Sequence, residues 1–166
     1  MFSRQDFIES VRMEANILKH LYTKLPKDRL DYRPTPNQRS LGELLEYLPA
    51  NFGLITQRVI RGDWQTFGDD VAVLKEAVRK DFVAALDGEV ARMERLVAEI
   101  PEADLTNKGV TLPNGLTMKL GVALVSWNLK FMAAYRMQFF LYLKACGKTE
   151  LVSRNLWMGQ DPQPKK

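Results

Sequence analysis

Cysteine and histidine are nearly absent from this sequence, which has one residue of each among 166. A single cysteine, Cys146, excludes an intramolecular disulfide and is typical of a protein from a reducing compartment. A cysteine nucleophile usually needs a histidine partner, and only His20 is available, so we interpret Cys146 as a packing residue. A lone histidine is weak evidence for a metal, which favours placing His20 at the edge of an apolar stripe over a polar pocket.

Clusters of one charge and long uninterrupted apolar segments are also missing. The net charge is +4, but basic residues are interleaved with acidic ones, and this pattern favours a solvated surface over the basic surface of a nucleic-acid-binding protein. The most apolar segment, residues 120–143, would place Lys130 and Arg136 near the middle of a bilayer, so we expect no membrane span. The N-terminal segment MFSRQDFIES has acidic residues where a signal peptide has its apolar core, and we expect a cytoplasmic protein.

Apolar residues recur at helical spacing in four long segments. The spacing predicts helices over residues 3–25, 40–61, 71–100 and 117–147. Four helices joined by short turns, without strand-rich segments, predict an all-α, up-and-down four-helix bundle. We expect residues 1–159 to form this single domain and residues 160–166, QDPQPKK, to form a disordered tail.

Local signals add detail to this bundle. Ser40 and Glu43 form a capping box at the start of the second helix, and Pro49 should kink that helix. Asn114-Gly115 predicts a tight turn or small hairpin before the last helix. Residues 150–157 predict a short terminal helix or an extended strap over the bundle.

The last helix should lie at the centre of the bundle. At about 100° per residue, one face of an ideal helix carries mostly apolar and aromatic side chains: Leu120, Leu124, Trp127, Phe131, Ala134, Tyr135, Gln138 and Tyr142. The opposite face carries Lys119, Lys130 and Lys144. The sequence therefore predicts a helix that buries the first face and leaves a narrow strip in water.

Three segments together resemble the DinB-like (DinB/YfiT) superfamily of four-helix bundles. They are residues 25–36, with Leu25-Pro26 and Tyr32-Arg33-Pro34-Thr35-Pro36, then Ser40 to Leu48, and then Tyr135-Arg136-Met137-Gln138 with Tyr142-Leu143-Lys144 and Gly147. The segments occur in the family's order and span nearly the whole domain. The resemblance implies the same bundle fold.

Members of this family with an identified site bind a divalent metal through three histidines. One lies on the second helix and two on the fourth, followed by Arg-x-Gln. In this chain the three positions hold Tyr47, Phe131 and Tyr135, the last directly before Arg136 and Gln138. A phenyl ring cannot bind a metal, and a phenol must first lose its proton. The resemblance therefore implies that the family's metal does not bind in its usual place, and we expect no metal and no other cofactor.

Three alternatives remain open for these positions. The aromatic side chains either fill the former metal site as core or line a retained cavity, in which two phenol hydroxyls hold a small organic ligand. Asn128 and Gln138, on the inward half of the last helix, favour the cavity because buried amides need partners. In the third alternative a metal is relocated to Glu43, Glu46 or His20, although carboxylates on one helix face supply too few ligands.

The favoured hypothesis is a degenerate DinB-like protein that keeps the bundle, has lost the family's metal chemistry and is not an enzyme. If the cavity is retained, this protein would bind a small organic ligand in an aromatic-lined pocket. The alternative is a metal-dependent hydrolase or thiol transferase of the DinB/YfiT type with non-standard ligands. The resemblance also implies a homodimer, which would need an exposed apolar face on the first or second helix. A nucleic-acid-binding module ranks last, because the basic residues form no cluster.

Overall fold

Residues 3–163 are described by the computed structural model, and they form the predicted all-α bundle with one short hairpin. The hairpin pairs strands β1 (Gly109–Thr111) and β2 (Thr117–Lys119) in antiparallel register. The α-helices of this part of the chain are α1 (Arg4–Tyr22), α2 (Leu41–Tyr47), α3 (Gly53–Arg61), α4 (Phe67–Lys80), α5 (Phe82–Ala98), α6 (Glu102–Asn107), α7 (Leu120–Leu124), α8 (Lys130–Ala145) and α9 (Ser153–Met158). None of these helices is long and apolar enough to cross a membrane.

The first helix, α1, begins at a capping box. The Asp6 amide donates to Ser3 Oγ (3.2 Å), and the Ser3 amide donates to Asp6 Oδ2 (2.8 Å), so two amides at the helix start are satisfied. The buried stripe of α1 contacts α5, α8 and α9. The helix ends at Tyr22, three residues before the predicted end, and the following connector contains one 3-10 turn, Lys27–Arg29.

The second predicted helix is bent, as Pro49 suggested. After α2, a 3-10 turn spans Leu48–Asn51, and Phe52 leaves helical geometry with φ −92° and ψ −107° before α3 begins. Phe52 has no side-chain oxygen to cap α3. Glu89 of α5 takes that role, because its Oε2 accepts a hydrogen bond from the Leu54 amide at 2.6 Å. The bend is therefore held by a carboxylate from another helix.

The prediction of one helix over residues 71–100 is wrong, because this region contains two helices. Asp81 is extended, with φ −156° and ψ 104°, and its carboxylate accepts a hydrogen bond from the Ala84 amide at 3.0 Å. This N-cap starts α5 and separates it from α4. As a result, α4 packs on α2, while α5 packs on α1 and α3.

The last predicted helix begins later than expected and contains a wider turn. Residues 117–119 belong to β2, and the helix starts at Leu120. Between α7 and α8, residues Val125–Leu129 form a π-helical turn. A π turn contains more than 3.6 residues, so it rotates the face of α8 relative to that of α7.

The wider turn changes which side chains of this helix reach the core. Five of the buried residues in this segment are spaced four apart: Leu120, Leu124, Asn128, Met132 and Arg136. In a regular α-helix, residues spaced four apart move steadily around the helix axis, and the π turn compensates most of this rotation. The predicted inward face is therefore only partly correct. Trp127, Phe131, Tyr135 and Gln138 are half-buried, and Ala134 is exposed.

The C-terminal segment lies against α1. The predicted terminal helix is present as α9, and Gly159 follows it with φ +59°, packed closely on Ile17. Asp161, which belongs to the tail predicted to be disordered, accepts hydrogen bonds from Lys24 Nζ (2.7 Å) and Asn155 Nδ2 (3.0 Å). Residues 164–166 of that tail lie outside the described residues.

His20 connects α1 to this segment. Asn155 Oδ1 accepts a hydrogen bond from the Val152 amide (2.9 Å), which directs its Nδ2 toward His20 Nε2 at 3.1 Å. His20 must therefore accept this bond through an unprotonated Nε2. Burial lowers the pKa of His20, with Asp161 opposing the shift and Lys24 adding to it. Folding thus favours the neutral imidazole.

Acidification should weaken this contact. Because the folded-state pKa of His20 lies below its unfolded value, its stabilising contribution is present above about pH 6.5 and is lost as the pH falls. The urea midpoint of the wild type should drop more between about pH 7.5 and 5.5 than that of His20→Gln, whose amide oxygen accepts at either pH. The chain has no second histidine, so equal pH dependence in both proteins would contradict this assignment.

Candidate functional site

Tyr47 and Tyr135 are brought together by α2 and α8. Their ring centroids are 5.3 Å apart and the rings are inclined at 61°, an edge-to-face arrangement. Both side chains are half-buried. Burial raises the pKa of Tyr47, and the neighbouring Tyr135 raises it further. The Tyr47 phenol therefore stays protonated at neutral pH, which disfavours it as a metal ligand.

Arg39, immediately before the N-cap of α2, covers this pair. Its guanidinium carbon lies 4.2 Å from the centroid of the Tyr47 ring and 5.9 Å from that of Tyr135. Arg39 Nη1 also lies 3.4 Å from the Tyr135 hydroxyl. The position of Arg39 was not predicted, because the connector around it has no periodicity from which a side-chain position could be inferred.

Further aromatic side chains extend from Tyr135 along the same surface. Phe131, one turn earlier on α8, lies 5.2 Å from Trp127 between ring centroids, and Trp127 lies 5.8 Å from Trp64. Trp64 in turn lies 5.7 Å from Phe67. All of these rings are half-buried. We call this surface the aromatic face, and it consists of Tyr47, Trp64, Phe67, Trp127, Phe131 and Tyr135.

Asn128 is predicted to belong to the same site, but the structure places it in the core. It is fully buried, and its Nδ2 donates to Thr56 Oγ1 (2.9 Å) and to the Asn51 carbonyl (3.3 Å). Asn51 belongs to the bend before α3, and Asn128 belongs to the π turn. The amide of Asn128 thus joins these two irregular segments, and its hydrogen bonds do not reach the aromatic face.

Gln138 lies in a different network from Tyr47. Its Nε2 donates to the Tyr142 hydroxyl at 2.8 Å, and that hydroxyl donates to the Arg39 carbonyl at 3.1 Å. Gln138 also lines a separate groove of about 460 Å³, together with Tyr32 and Leu141. Gln138 therefore contributes indirectly, because it helps to fix the backbone from which Arg39 extends.

The residues considered for a relocated metal do not converge. Arg33 binds the Glu43 carboxylate through two nitrogens at 2.6 and 2.8 Å, and it lowers the pKa of Glu43 to about 2, helped by the Ser40 amide. Glu46 pairs with Arg79 at 2.7 Å. His20 lies at the Asn155 contact instead. Within residues 3–163, no three His, Cys, Asp or Glu side chains lie close enough to hold a metal ion.

A second cavity lies away from the aromatic face. It has a volume of about 520 Å³ and lies where α1, α6 and α7 meet, lined mainly by apolar side chains such as Phe7, Leu105 and Leu129. Arg4 at its rim is occupied, because its guanidinium donates to Glu102 Oε1 (2.9 Å) and to the Ile100 carbonyl (2.7 Å). None of the predicted site residues lines this cavity.

Comparison with known proteins identifies the fold. No protein-family model matches the sequence, and no curated protein does. The crystal structure of the DinB-like protein YjoA from Bacillus subtilis superimposes with a TM-score of 0.63 at 18% sequence identity. The match covers 88% of this chain and 94% of that one. The resemblance inferred from the sequence is thus confirmed at the level of structure, and the protein has the DinB-like fold.

Proposed function

We propose that this protein binds a small organic ligand at the aromatic face and does not use the three-histidine metal chemistry of its fold family. The observation that supports this proposal most directly is the pair formed by Tyr47 and Tyr135, whose ring centroids are 5.3 Å apart. The half-buried Phe131 lies one turn before Tyr135 on α8. These are the positions that the family resemblance assigns to metal ligands.

The chemistry of these side chains favours an organic ligand over a metal. Phe131 has no lone pair to donate, and burial of Tyr47 keeps its phenol protonated. In contrast, half-buried rings offer flat apolar area, and stacked aromatic pairs gain roughly 0.5 to 1.5 kcal/mol beyond area burial. Two hydroxyl groups at one end of the surface can orient a polar substituent of the ligand.

Phenol, a small neutral aromatic molecule, provides the first test. In NMR titrations of the full chain, phenol should shift ring signals of Tyr47, Trp127 and Tyr135, and Phe131→Ala should weaken the binding several-fold by removing stacking area. Leu141→Ala is the matched control, because Leu141 lies on α8, is exposed, and is not part of the aromatic face. Shifts confined to the cavity between α1, α6 and α7 would contradict the proposal.

A metal titration provides the second arm of the same test. The wild type should retain neither zinc nor nickel after desalting, whereas a triple variant with Tyr47→His, Phe131→His and Tyr135→His should retain one ion per chain. Stoichiometric metal in the wild type would overturn the proposal. It would support the alternative of a metal-dependent hydrolase or thiol transferase, with Glu43, Glu46 and His20 as the first residues to substitute.

The homodimer implied by the family resemblance and the cytoplasmic location are parts of the same proposal. Met13 on α1 is 61% exposed, and Trp157 and Met158 on α9, which packs on α1, are 56% and 58% exposed. These apolar side chains support an interface on the α1 side of the bundle. The single cysteine is compatible with a reducing compartment.

A further inference from the structure

Arg39 is a cation that is held in place without a carboxylate partner among residues 3–163. Its side chain is exposed, yet its guanidinium is stacked 4.2 Å from the Tyr47 ring centroid and lies 3.4 Å from the Tyr135 hydroxyl. Its carbonyl accepts a hydrogen bond from the Tyr142 hydroxyl at 3.1 Å. The backbone and the guanidinium are thus both restrained, which lowers the entropy lost when a ligand binds.

The acidic side chains nearest in sequence are occupied by other cations. Glu43 is bound through two nitrogens of Arg33. Glu46, next to Tyr47, is bound by Arg79 at 2.7 Å. The guanidinium of Arg39 therefore keeps donors that neither of these carboxylates neutralises, and they lie at the edge of the aromatic face.

We propose that the ligand of the aromatic face is a planar aromatic carboxylic acid whose carboxylate binds Arg39. This inference rests on the proposed function and specifies its ligand class. A guanidinium presents parallel N–H donors that match the two oxygens of a carboxylate. The Tyr135 hydroxyl lies beside the guanidinium and can donate to one of the same oxygens, while the ligand ring packs along Tyr135 and Phe131.

The one positive charge of Arg39 favours a carboxylate over a phosphate as the group that binds there. Arg33, six residues before Arg39 in this connector, is already neutralised by Glu43. One guanidinium balances a monoanion, whereas a phosphate monoester carries nearly two negative charges at neutral pH and is usually held by several cations or amides. The arrangement therefore favours an aromatic monocarboxylate over a phosphorylated ligand.

Benzoate and benzamide separate charge recognition from stacking, because they differ mainly in the charge of one substituent. Both are titrated by NMR into the full chain at about 0.15 M salt, where long-range electrostatic effects are screened. For the wild type, benzoate should bind at least tenfold more tightly than benzamide. Arg39→Gln should remove that tenfold preference, and Arg39→Lys, which keeps the charge but not the planar fork, should retain only part of it.

Arg29→Gln is the matched control, because it removes the same charge from the same connector at another exposed position. It should leave both affinities unchanged. Equal benzoate binding by the wild type and Arg39→Gln, with benzamide still binding at the aromatic face, would overturn the role of Arg39 and leave the proposed function intact. Failure of both molecules to bind there in the wild type would overturn both. Inorganic phosphate binding as tightly as benzoate would overturn the preference for a carboxylate.

Discussion

Gly53→Ala is expected to lower the free energy of unfolding by about 3 kcal/mol, the upper end of the usual cost of overpacking. A methyl group at this position would lie 2.6 Å from the Glu89 carbonyl oxygen and 2.8 Å from Arg92 Cβ. The first of these atoms belongs to the backbone of α5 and cannot rotate away. The substitution must push α3 from α5 and disturb the Glu89 carboxylate that caps α3.

Gly88→Ala provides the matched control for this prediction. Gly88 lies inside α5, and an added methyl group would meet no heavy atom within 4 Å. Because alanine is the better helix former, this variant should gain roughly 0.5 to 1 kcal/mol. In urea unfolding, the midpoint of Gly53→Ala should lie below that of the wild type, and the midpoint of Gly88→Ala should lie above it. A Gly53→Ala midpoint equal to that of the wild type would show that α3 and α5 are not in close contact.

Arg136→Met is expected to cost about 3 to 5 kcal/mol, the usual range for breaking a buried ion pair. The Arg136 side chain is only 4% exposed, and its Nε lies 3.2 Å from Glu14 Oε2. Its Nη1 also donates to the Leu156 carbonyl at 3.0 Å, and its guanidinium carbon lies 4.8 Å from the centroid of the Trp157 ring. Loss of this side chain removes contacts to α1 and α9 and leaves the Glu14 charge without its partner.

The pH dependence tests the role of that charge. Burial already raises the pKa of Glu14, and Arg136 opposes the shift, so Arg136→Met should raise the pKa further. A carboxyl group whose folded-state pKa lies above its unfolded value gains stability as the pH falls through that pKa. The stability difference between wild type and variant should therefore shrink from about pH 7 to pH 5.

Two further variants separate the loss of the buried ion pair from the loss of an arginine side chain in general. Adding Glu14→Leu to Arg136→Met should recover most of the lost stability, because an apolar pair can replace a buried ion pair. Arg12→Met removes an exposed arginine of α1 that pairs with Glu94, and it should leave the unfolding midpoint almost unchanged. If Arg12→Met and Arg136→Met were equally destabilising, burial of the Glu14 pair would not be the cause.

Local hydrogen-bonding signals in the sequence were sufficient to predict several features of the fold. The Ser40 and Glu43 capping box forms as expected, with the Glu43 amide donating to Ser40 Oγ at 3.1 Å. Pro49 marks the bend, and Asn114-Gly115 marks the hairpin turn, where Gly115 has φ +80°. Each of these features depends on residues close in sequence, which is why a single sequence reveals them.

Two helix irregularities were not predictable in this way. The apolar stripe of residues 71–100 continues through Asp81, so periodicity gave no sign that its carboxylate would cap a new helix. The π turn at Val125–Leu129 leaves no residue signature of its own. The four-residue spacing from Leu120 to Arg136 reflects this turn. That spacing can be recognised only once the burial of these residues is known. Both features are set by tertiary packing rather than by local preference.

The candidate site was predictable only in part. The family resemblance identified Tyr47 and Tyr135, and the structure places them in contact. Helical periodicity placed Asn128 and Gln138 on the inward half of the last helix, but their amides join segments of the scaffold. Arg39 was missed because the resemblance concerns metal ligands, and a guanidinium is not one. Residues that would recognise a ligand other than a metal, such as Arg39, are therefore not marked by the family's metal-ligand pattern.

The π turn also affects how this chain should be compared with its relatives. A turn with an additional residue is equivalent to a one-residue insertion inside a helix, where a gap is least expected. If a homologue has a regular α-helix here, aligning the two helices without a gap shifts every position on one side of Val125–Leu129 by one residue. Alignments of the last helix should therefore be anchored separately on α7 and α8, with any gap placed between them.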